Sequence, residues 1–323
     1  MKEKLNKDFL DKLTRIYSKE ELEIIKEWFE NKNPTIFRIN NLKNDYDVLK
    51  NFEGYNYETE KIPFLKDSYK IIKEWTLKLS LMKSFKKWYI YVQWLTSQIP
   101  VNLIDFPENC ENFKVLDLTA APGWKSTQIS WEMNNTWEIV ASENNTLRVD
   151  KLNYTINNLW ASNIEVIKWD ANKLKETLLE WYFDVIIADL PCSAEWRINL
   201  DLEKTYKFLE KPGINKRNSK IQQEILKNSI SLLKKWGQLI YSTCTLDPLE
   251  NEWIVHFLLS HFKDLQVEDI SDFFNQEWLK KISKPWIKQY WKQVYRNEVS
   301  KAVRILPSKN TEWFFVAKLT KKD

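Results

Sequence analysis

Cys192, in DLPCS, and Cys244, in YSTCT, each follow the last apolar residues of a β-like run. A thiol at such a strand end faces a cleft, and as a thiolate with a lowered pKa it is intrinsically the best nucleophile among side chains. A single free cysteine is more often a small core residue; these two differ because both stand at the cleft edge where acids also stand. Glu143 follows EIVAS, Asp170 follows NIEVIKW, and Asp189 follows FDVIIA. Glu143 is placed where an acid would take both ribose hydroxyls of an adenosine-type cofactor. Each acid alone is better explained as a helix cap or a solvated loop residue. After KVLDL comes Thr119-Ala120-Ala121-Pro122-Gly123-Trp124-Lys125, a turn of small residues leading into a helix. Such a turn lets a ligand approach backbone N–H groups, and the helix amino terminus favours a carboxylate. Four strand ends in succession, each with a nucleoside-binding group, outweigh the bland reading of any one. The turn is neither G-x-G-x-x-G nor a Walker loop, which weakens oxidoreductase and NTPase readings. Cys110, in the polar run PENCEN, lacks this setting and reads as structural.

These residues need a frame that gathers strand ends. From residue 106 onward β-like runs alternate with helical ones: KVLDL, then a helix from about 125; EIVASE, then 146–159; NIEVIKW; FDVIIADL, then 217–235; QLIYSTCT, then 250–262. That alternation predicts an α/β fold, a parallel sheet with helices on both faces whose ligands bind beyond the carboxyl ends of the strands. AVRILP and EWFFVAKL are expected to form a hairpin at the sheet edge. Earlier in the chain, residues 18–30 open with a capping box, Ser18 with Glu21, and carry Leu22, Ile25 and Phe29 on one face. Residues 36–105 mix IFRIN and YIYVQ with helical stretches and are punctuated by Pro63 and Pro100, which predicts a small α+β unit. The expected division is 1–105 and 106–323.

Composition narrows the classes. The 323 residues are 43% hydrophobic and 29% charged, with 49 basic against 45 acidic side chains. This is a globular chain, neither disordered nor polycationic. Three Cys and two His (His256, His261) offer no C-x-x-C and no histidine pair four apart, so neither a metal site nor a disulfide framework is expected. MKEKLNKDFL has no signal-peptide core, and no later segment is long and apolar enough to span a bilayer. A soluble, cytoplasmic monomer is expected. Residues 280–309 hold nine basic residues (Lys280, Lys281, Lys284, Lys288, Lys292, Arg296, Lys301, Arg304, Lys309) against Glu298, with Trp286, Tyr290, Trp291 and Tyr295 interleaved. Phosphate neutralisation plus stacking fits RNA; a solvated helix fits as well.

DLTAAPGWKSTQ, ADLPCSAEWRI and GQLIYSTCTLDPLENE resemble three successive signatures of the Sun-type (Nop/Sun, Fmu) RNA cytosine-5 methyltransferases. FRINNLK, YVQWLTSQIP and RILP...EWFFVAKL resemble that family's flanking segments, so the likeness spans about residues 35 to 320, and its nearest match is to bacterial ribosomal-RNA members without an extra carboxyl-terminal RNA-binding domain. The resemblance implies a class I, Rossmann-like methyltransferase sheet behind a small RNA-binding-type α+β domain, with S-adenosylmethionine as cofactor and rRNA, or else tRNA, as partner. By the same resemblance the turn Thr119 to Lys125 holds the methionine end of the cofactor, Glu143 its ribose and Asp170 its adenine. Asp189 lies between cofactor and base, Cys244 is the nucleophile, and Cys192 assists release from the methylated product. Thr119 stands where many members have Cys, and Ala194 where they have Gly. Two rivals remain. A catalytically silent RNA-binding ribosome assembly factor is disfavoured by retention of both cysteines, and a DNA cytosine methyltransferase by the STCT cysteine and the basic, aromatic stretch.

One count is abnormal: 17 Trp against 4 Gly, where glycine averages about 7% of residues. Trp88, Trp124, Trp137, Trp160, Trp169, Trp196, Trp236 and Trp313 occupy glycine positions of the resemblance. An indole at 124 is expected to crowd the cofactor turn. The simplest account is a source that reads UGA as glycine, translated with a table that reads it as tryptophan; a Trp-rich, inactive relative is the alternative.

Overall fold

The computed structural model describes residues 5–30, 34–73, 78–108, 112–207, 213–284, 286–308 and 311–322. Cys110 and Lys309 lie outside these described residues. Helices α1 (Lys7–Ile16) and α2 (Lys19–Glu30) lead into β1 (Ile36–Ile39), α3 (Val48–Gly54), β2 (Glu58–Lys61), β3 (Ser68–Lys73), α4 (Lys83–Lys86), β4 (Ile90–Val92) and α5 (Ile99–Asn102). The capping box at α2 forms as expected: Ser18 N donates to Glu21 Oε2 at 2.9 Å and Glu21 N to Ser18 Oγ at 3.3 Å. The four strands make an antiparallel sheet, β2-β3-β1-β4. Phe37, Phe52 and Ile90 pack on one of its faces, whereas Ile36, on the other, joins the core of the following unit together with Leu95, Ile99 and Ile104.

The second unit runs β5 (Lys114–Asp117), α6 (Trp124–Glu132), β6 (Glu138–Glu143), α7 (Thr146–Leu159), β7 (Ile164–Lys168), β8 (Phe183–Asp189), α8 (Ile214–Ser229), β9 (Leu233–Thr243) and α9 (Glu252–His261). It closes with β10 (Leu265–Val267), α10 (Ser271–Phe274), α11 (Glu277–Lys280), β11 (Ser283–Lys284), β12 (Gln289–Tyr290), β13 (Gln293–Val294), β14 (Val303–Ile305) and β15 (Phe314–Lys321). The large sheet has the order β11-β14-β15-β9-β8-β5-β6-β7, with β10 also on β15. Its centre, from β9 to β7, is parallel. Successive strand residues face opposite sides: Leu116, Ile186 and Leu239 join one core with Ile225 of α8 and Ile254 of α9, while Val115, Ile187 and Ile240 join the other with Ile129 of α6. Both faces are covered, which is why these strands read as continuous apolar runs.

Three expectations change. The terminal hairpin pairs as foreseen and β15 joins it to β9, but it is not the edge of the sheet, because β11 adds a further strand beyond β14 and β10 pairs with the rest of β15. The helix expected over 217–235 ends at Ser229, and Leu233–Thr243 is already strand. Residues 280–309 form short strands and a 3-10 turn instead of one solvated helix.

Candidate active site

Strands β8 and β9 are parallel neighbours with Asp189 opposite Ser242, so the loops leaving them start side by side. Cys192 lies in the first loop and Cys244 directly after the second strand, and their sulfurs come within 3.2 Å. Both thiols are free and half-buried. The hydrogen bond to Cys244, and then burial, holds the Cys192 thiol well above the ordinary thiol range. Asp189 stands at the same edge: its Oδ2 accepts from Lys125 Nζ at 2.6 Å and its Oδ1 from Ser242 Oγ at 3.0 Å. Thr119 Oγ1 donates to the Asp189 backbone carbonyl at 2.8 Å, tying the first turn to the β8 end.

The turn itself is built on Gly123, at φ +103°, where an added Cβ would meet Leu152 Cδ1 at 3.0 Å; this is the one residue of the turn whose backbone demands glycine. Ala120 N donates to Ser142 O at 2.9 Å and Gly123 N to Ala120 O at 2.7 Å. Trp124 begins α6 with a helical backbone, and its indole lies near the Tyr91 hydroxyl. The backbone at 124 therefore does not itself demand glycine.

Glu143, at the end of β6, is 3% exposed. Its Oε1 accepts from Asn145 N at 3.1 Å, and its Oε2 lies 3.1 Å from Arg148 Nη1 as an ion pair but receives no directed hydrogen bond. A buried carboxylate oxygen without a donor suits a ligand hydroxyl. Arg148 also donates to Ala121 O at 2.6 Å, so one side chain, missed in the sequence, joins the acid to the turn. Asp170 is half-buried after β7, its carbonyl accepting from Lys173 N. The structure therefore brings the turn, Glu143 and Asp170 to the carboxyl ends of β5, β6 and β7, and Asp189 with the cysteines to those of β8 and β9.

Two further acids received no role from the sequence. Asp117, buried at the end of β5, accepts from Ser126 Oγ at 2.6 Å and is pushed up to about 6 by burial. Glu250, fully buried, accepts from Ser193 N at 3.0 Å and from Gln222 Nε2 at 3.2 Å; burial, then the nearby Cys192, pushes it up to about 9. The run LENE, three residues beyond STCT, was the available signal.

The basic stretch is only partly a surface. Arg304 is buried and bridges Glu252, Tyr17 and Leu246 O; Tyr295 is buried; and Lys284 pairs with Glu21 at 3.0 Å. Lys280, Lys281, Lys288, Lys292 and Trp291 remain exposed. Among the described residues no helix is long and apolar enough to cross a membrane, and no group of His, Cys, Asp or Glu is arranged to hold a metal.

Comparison with known proteins agrees with this geometry. Residues 105–320 match the family described as 16S rRNA methyltransferase RsmB/F. The chain is 32% identical, over 98% of its length and 97% of the relative's, to the tRNA (cytosine(49)-C(5))-methyltransferase of Pyrococcus abyssi. It is 31% identical to ribosomal RNA small subunit methyltransferase F of Shewanella oneidensis over 88% of this chain, and spans just over half of that relative, 56%. A solved structure, NSun6 from Pyrococcus horikoshii with SFG, shares the fold at a TM-score of 0.78, 20% identity and full coverage of both chains. With the family match covering more than half of its length, the chain belongs to the RsmB/F family of 16S rRNA methyltransferases, the Sun-type group that its two cysteine motifs resemble.

Proposed function

We propose that this protein methylates carbon 5 of cytosine in RNA by way of a covalent Cys244 adduct, working as a cytoplasmic monomer with residues 1–105 assisting RNA binding. The observation that carries this reading is the pair of thiols 3.2 Å apart beside Asp189. Carbon 5 of cytosine is too weakly nucleophilic to accept a methyl group unaided. Attack of the Cys244 thiolate on carbon 6 forms the S–C6 bond and moves the C5=C6 electron pair onto carbon 5. Asp189 hydrogen-bonds the base edge near N3 and stabilises the addition. After methylation a base removes the carbon 5 proton, the double bond re-forms, and Cys244 leaves. Cys192, a thiol whose sulfur lies 3.2 Å from that of Cys244, assists that departure by hydrogen-bonding the leaving sulfur. The target base must leave any helical stack to reach this cleft.

S-adenosylmethionine, when bound, supplies the methyl group. The residues present fit it: the turn at Gly123 is open to close approach, and the unsatisfied Glu143 Oε2 is suited to a ribose hydroxyl. Glu143→Ala and Asp170→Ala are each expected to weaken its binding by about 1.5 to 3 kcal/mol, the range for a charged hydrogen-bond partner. Calorimetry checks this; unchanged affinity in both variants sinks the assignment.

The family supports rRNA as substrate, and the relative matched end to end supports tRNA. Bisulfite sequencing of total RNA from cells with and without the gene should show one 5-methylcytosine lost in one of these two classes. Identical maps would overturn the reading.

A further inference from the structure

Two carboxylates stand at equivalent places in the two cysteine loops, Glu195 three residues after Cys192 and Asp247 three residues after Cys244. Both are buried. Among the described residues one cation pairs with both: Lys12 Nζ, from α1, reaches Glu195 Oε1 at 2.5 Å and Asp247 Oδ2 at 3.1 Å. The second oxygen of Glu195 accepts from Thr245 Oγ1 at 3.0 Å and from Leu246 N at 2.8 Å, so the first loop is bonded directly onto the second. Ser193 Oγ and Thr245 Oγ1, each next to a cysteine, share a hydrogen bond of 2.6 Å. Asn215 also donates to Asp247. Burial alone would lower the Lys12 pKa; the Glu195 and Asp247 carboxylates outweigh it and hold the ammonium charged.

We propose that Lys12 is a positioning residue for the reaction: its ammonium, brought in by the amino-terminal helix, clamps the loops that carry Cys192 and Cys244 and so sets the alignment of the two thiols. The proposal rests on the covalent reading above. Without the ammonium, two buried carboxylates bound to one nitrogen face each other uncompensated, with the Glu250 carboxyl also near both. The loops relieve that repulsion by separating, and the thiol pair separates with them. Misalignment of reacting groups by about 1 Å costs on the order of 100-fold in rate. Helix α1 does not depend on the clamp for docking, because Phe9 and Leu13 are anchored in a core with Phe29 and Trp313. Lys12 bonds Glu195 and Asp247 and lies over Phe9, away from the cofactor turn and Glu143, so cofactor affinity separates alignment from general damage.

The test uses the full chain with S-adenosylmethionine and two RNA pools, tRNA and small-subunit rRNA transcripts made with 5-fluorocytidine. Fluorine at carbon 5 cannot leave as a proton does, so the Cys244 adduct accumulates and its rate of formation is read on a denaturing gel. Lys12→Met should form adduct about 100-fold more slowly than the parent while binding S-adenosylmethionine with unchanged affinity. Lys12→Met/Glu195→Gln, which removes the repulsion, should recover at least about tenfold of that loss, and Lys12→Arg should stay within about tenfold of the parent. Adduct formation by Lys12→Met at the parent rate, or no recovery in the double variant, overturns the clamp alone. No adduct with the parent overturns the covalent reading, and the clamp falls with it. Where Lys12→Met does not fold, the double variant is compared with the parent: a deficit under about tenfold supports the clamp, and one near 100-fold overturns it.

Discussion

Cys244→Ala is expected to bring methyl transfer down to the uncatalysed background while S-adenosylmethionine still binds. The thiolate acts on carbon 6 of the base and not on the sulfonium, and the side chains proposed for the cofactor, in the Gly123 turn and at Glu143, belong to other strand ends. Removing the sulfur removes the only route by which carbon 5 becomes nucleophilic, so binding and turnover should part completely. Cys192→Ala should behave differently. Addition and methylation should proceed, but the group that assists departure of Cys244 is gone, and multiple turnover should fall by about 10² to 10⁴-fold, the span of a lost acid or base. The trapped species should run as a slow protein–RNA band on a denaturing gel. Isotope-labelled cofactor gives the transfer, calorimetry the affinity, and the gel the adduct. An adduct with Cys244→Ala and none with Cys192→Ala would reverse the two roles.

The thiol pair also shows why much of this site was legible before any coordinates. Both cysteines close apolar runs, and in a parallel sheet covered on two faces such runs are unmistakable, so their ends can be read directly. The same holds for Glu143 and Asp189, whereas Asp170 follows β7, an outer strand that is only partly buried. What escaped were interactions between residues far apart in the chain. Lys12 meets partners 183 and 235 positions away, and nothing in α1 marks that lysine from its neighbours. Arg304 looked like part of a basic surface because its buried partner, Glu252, is 52 residues distant. A hairpin has the same local pattern whether its strands lie inside a sheet or at the edge; here the strand that covers β14 is β11, only two residues long. Strand β2, ETEK, escaped because its four residues are all polar and largely exposed.

Five tryptophans are expected to prove glycines in the working protein. Trp88, Trp160, Trp181, Trp236 and Trp291 have φ between 53° and 63°, the left-handed region that a bulky residue occupies only under strain. Three of them, Trp88, Trp160 and Trp236, stand at glycine positions of the resemblance; Trp181 and Trp291 are added by the backbone. Trp124, Trp137, Trp169, Trp196 and Trp313 carry no such signature. Trp124 is helical and Trp313 is buried with its indole N–H on the Cys244 carbonyl at 3.2 Å, and at all five positions the case for glycine rests on resemblance only. Four of the five strained indoles are exposed and recover little by burial. Cations do lie over them, Lys43 on Trp160, Lys321 on Trp181, Lys322 on Trp236 and Arg15 on Trp291, but apart from Lys321, which is buried, these contacts are open to solvent and contribute only about 0.5 kcal/mol each. Left-handed strain costs about 1 to 2 kcal/mol per residue, and glycine gives back part of that gain through its freer unfolded chain. A chain with glycine at all five positions should therefore be more stable by about 3 to 5 kcal/mol and melt about 5 °C or more above the tryptophan chain. The gene should carry UGA at codons 88, 160, 181, 236 and 291, with UGG at Trp28, whose ring is buried beside Trp313, and peptide masses from the native organism should report glycine at the five. UGG at those five codons, together with a tryptophan chain that melts as high as its glycine counterpart, would return these residues to the Trp-rich, inactive relative. The backbone would then be adopting five costly conformations with nothing in the packing to require them.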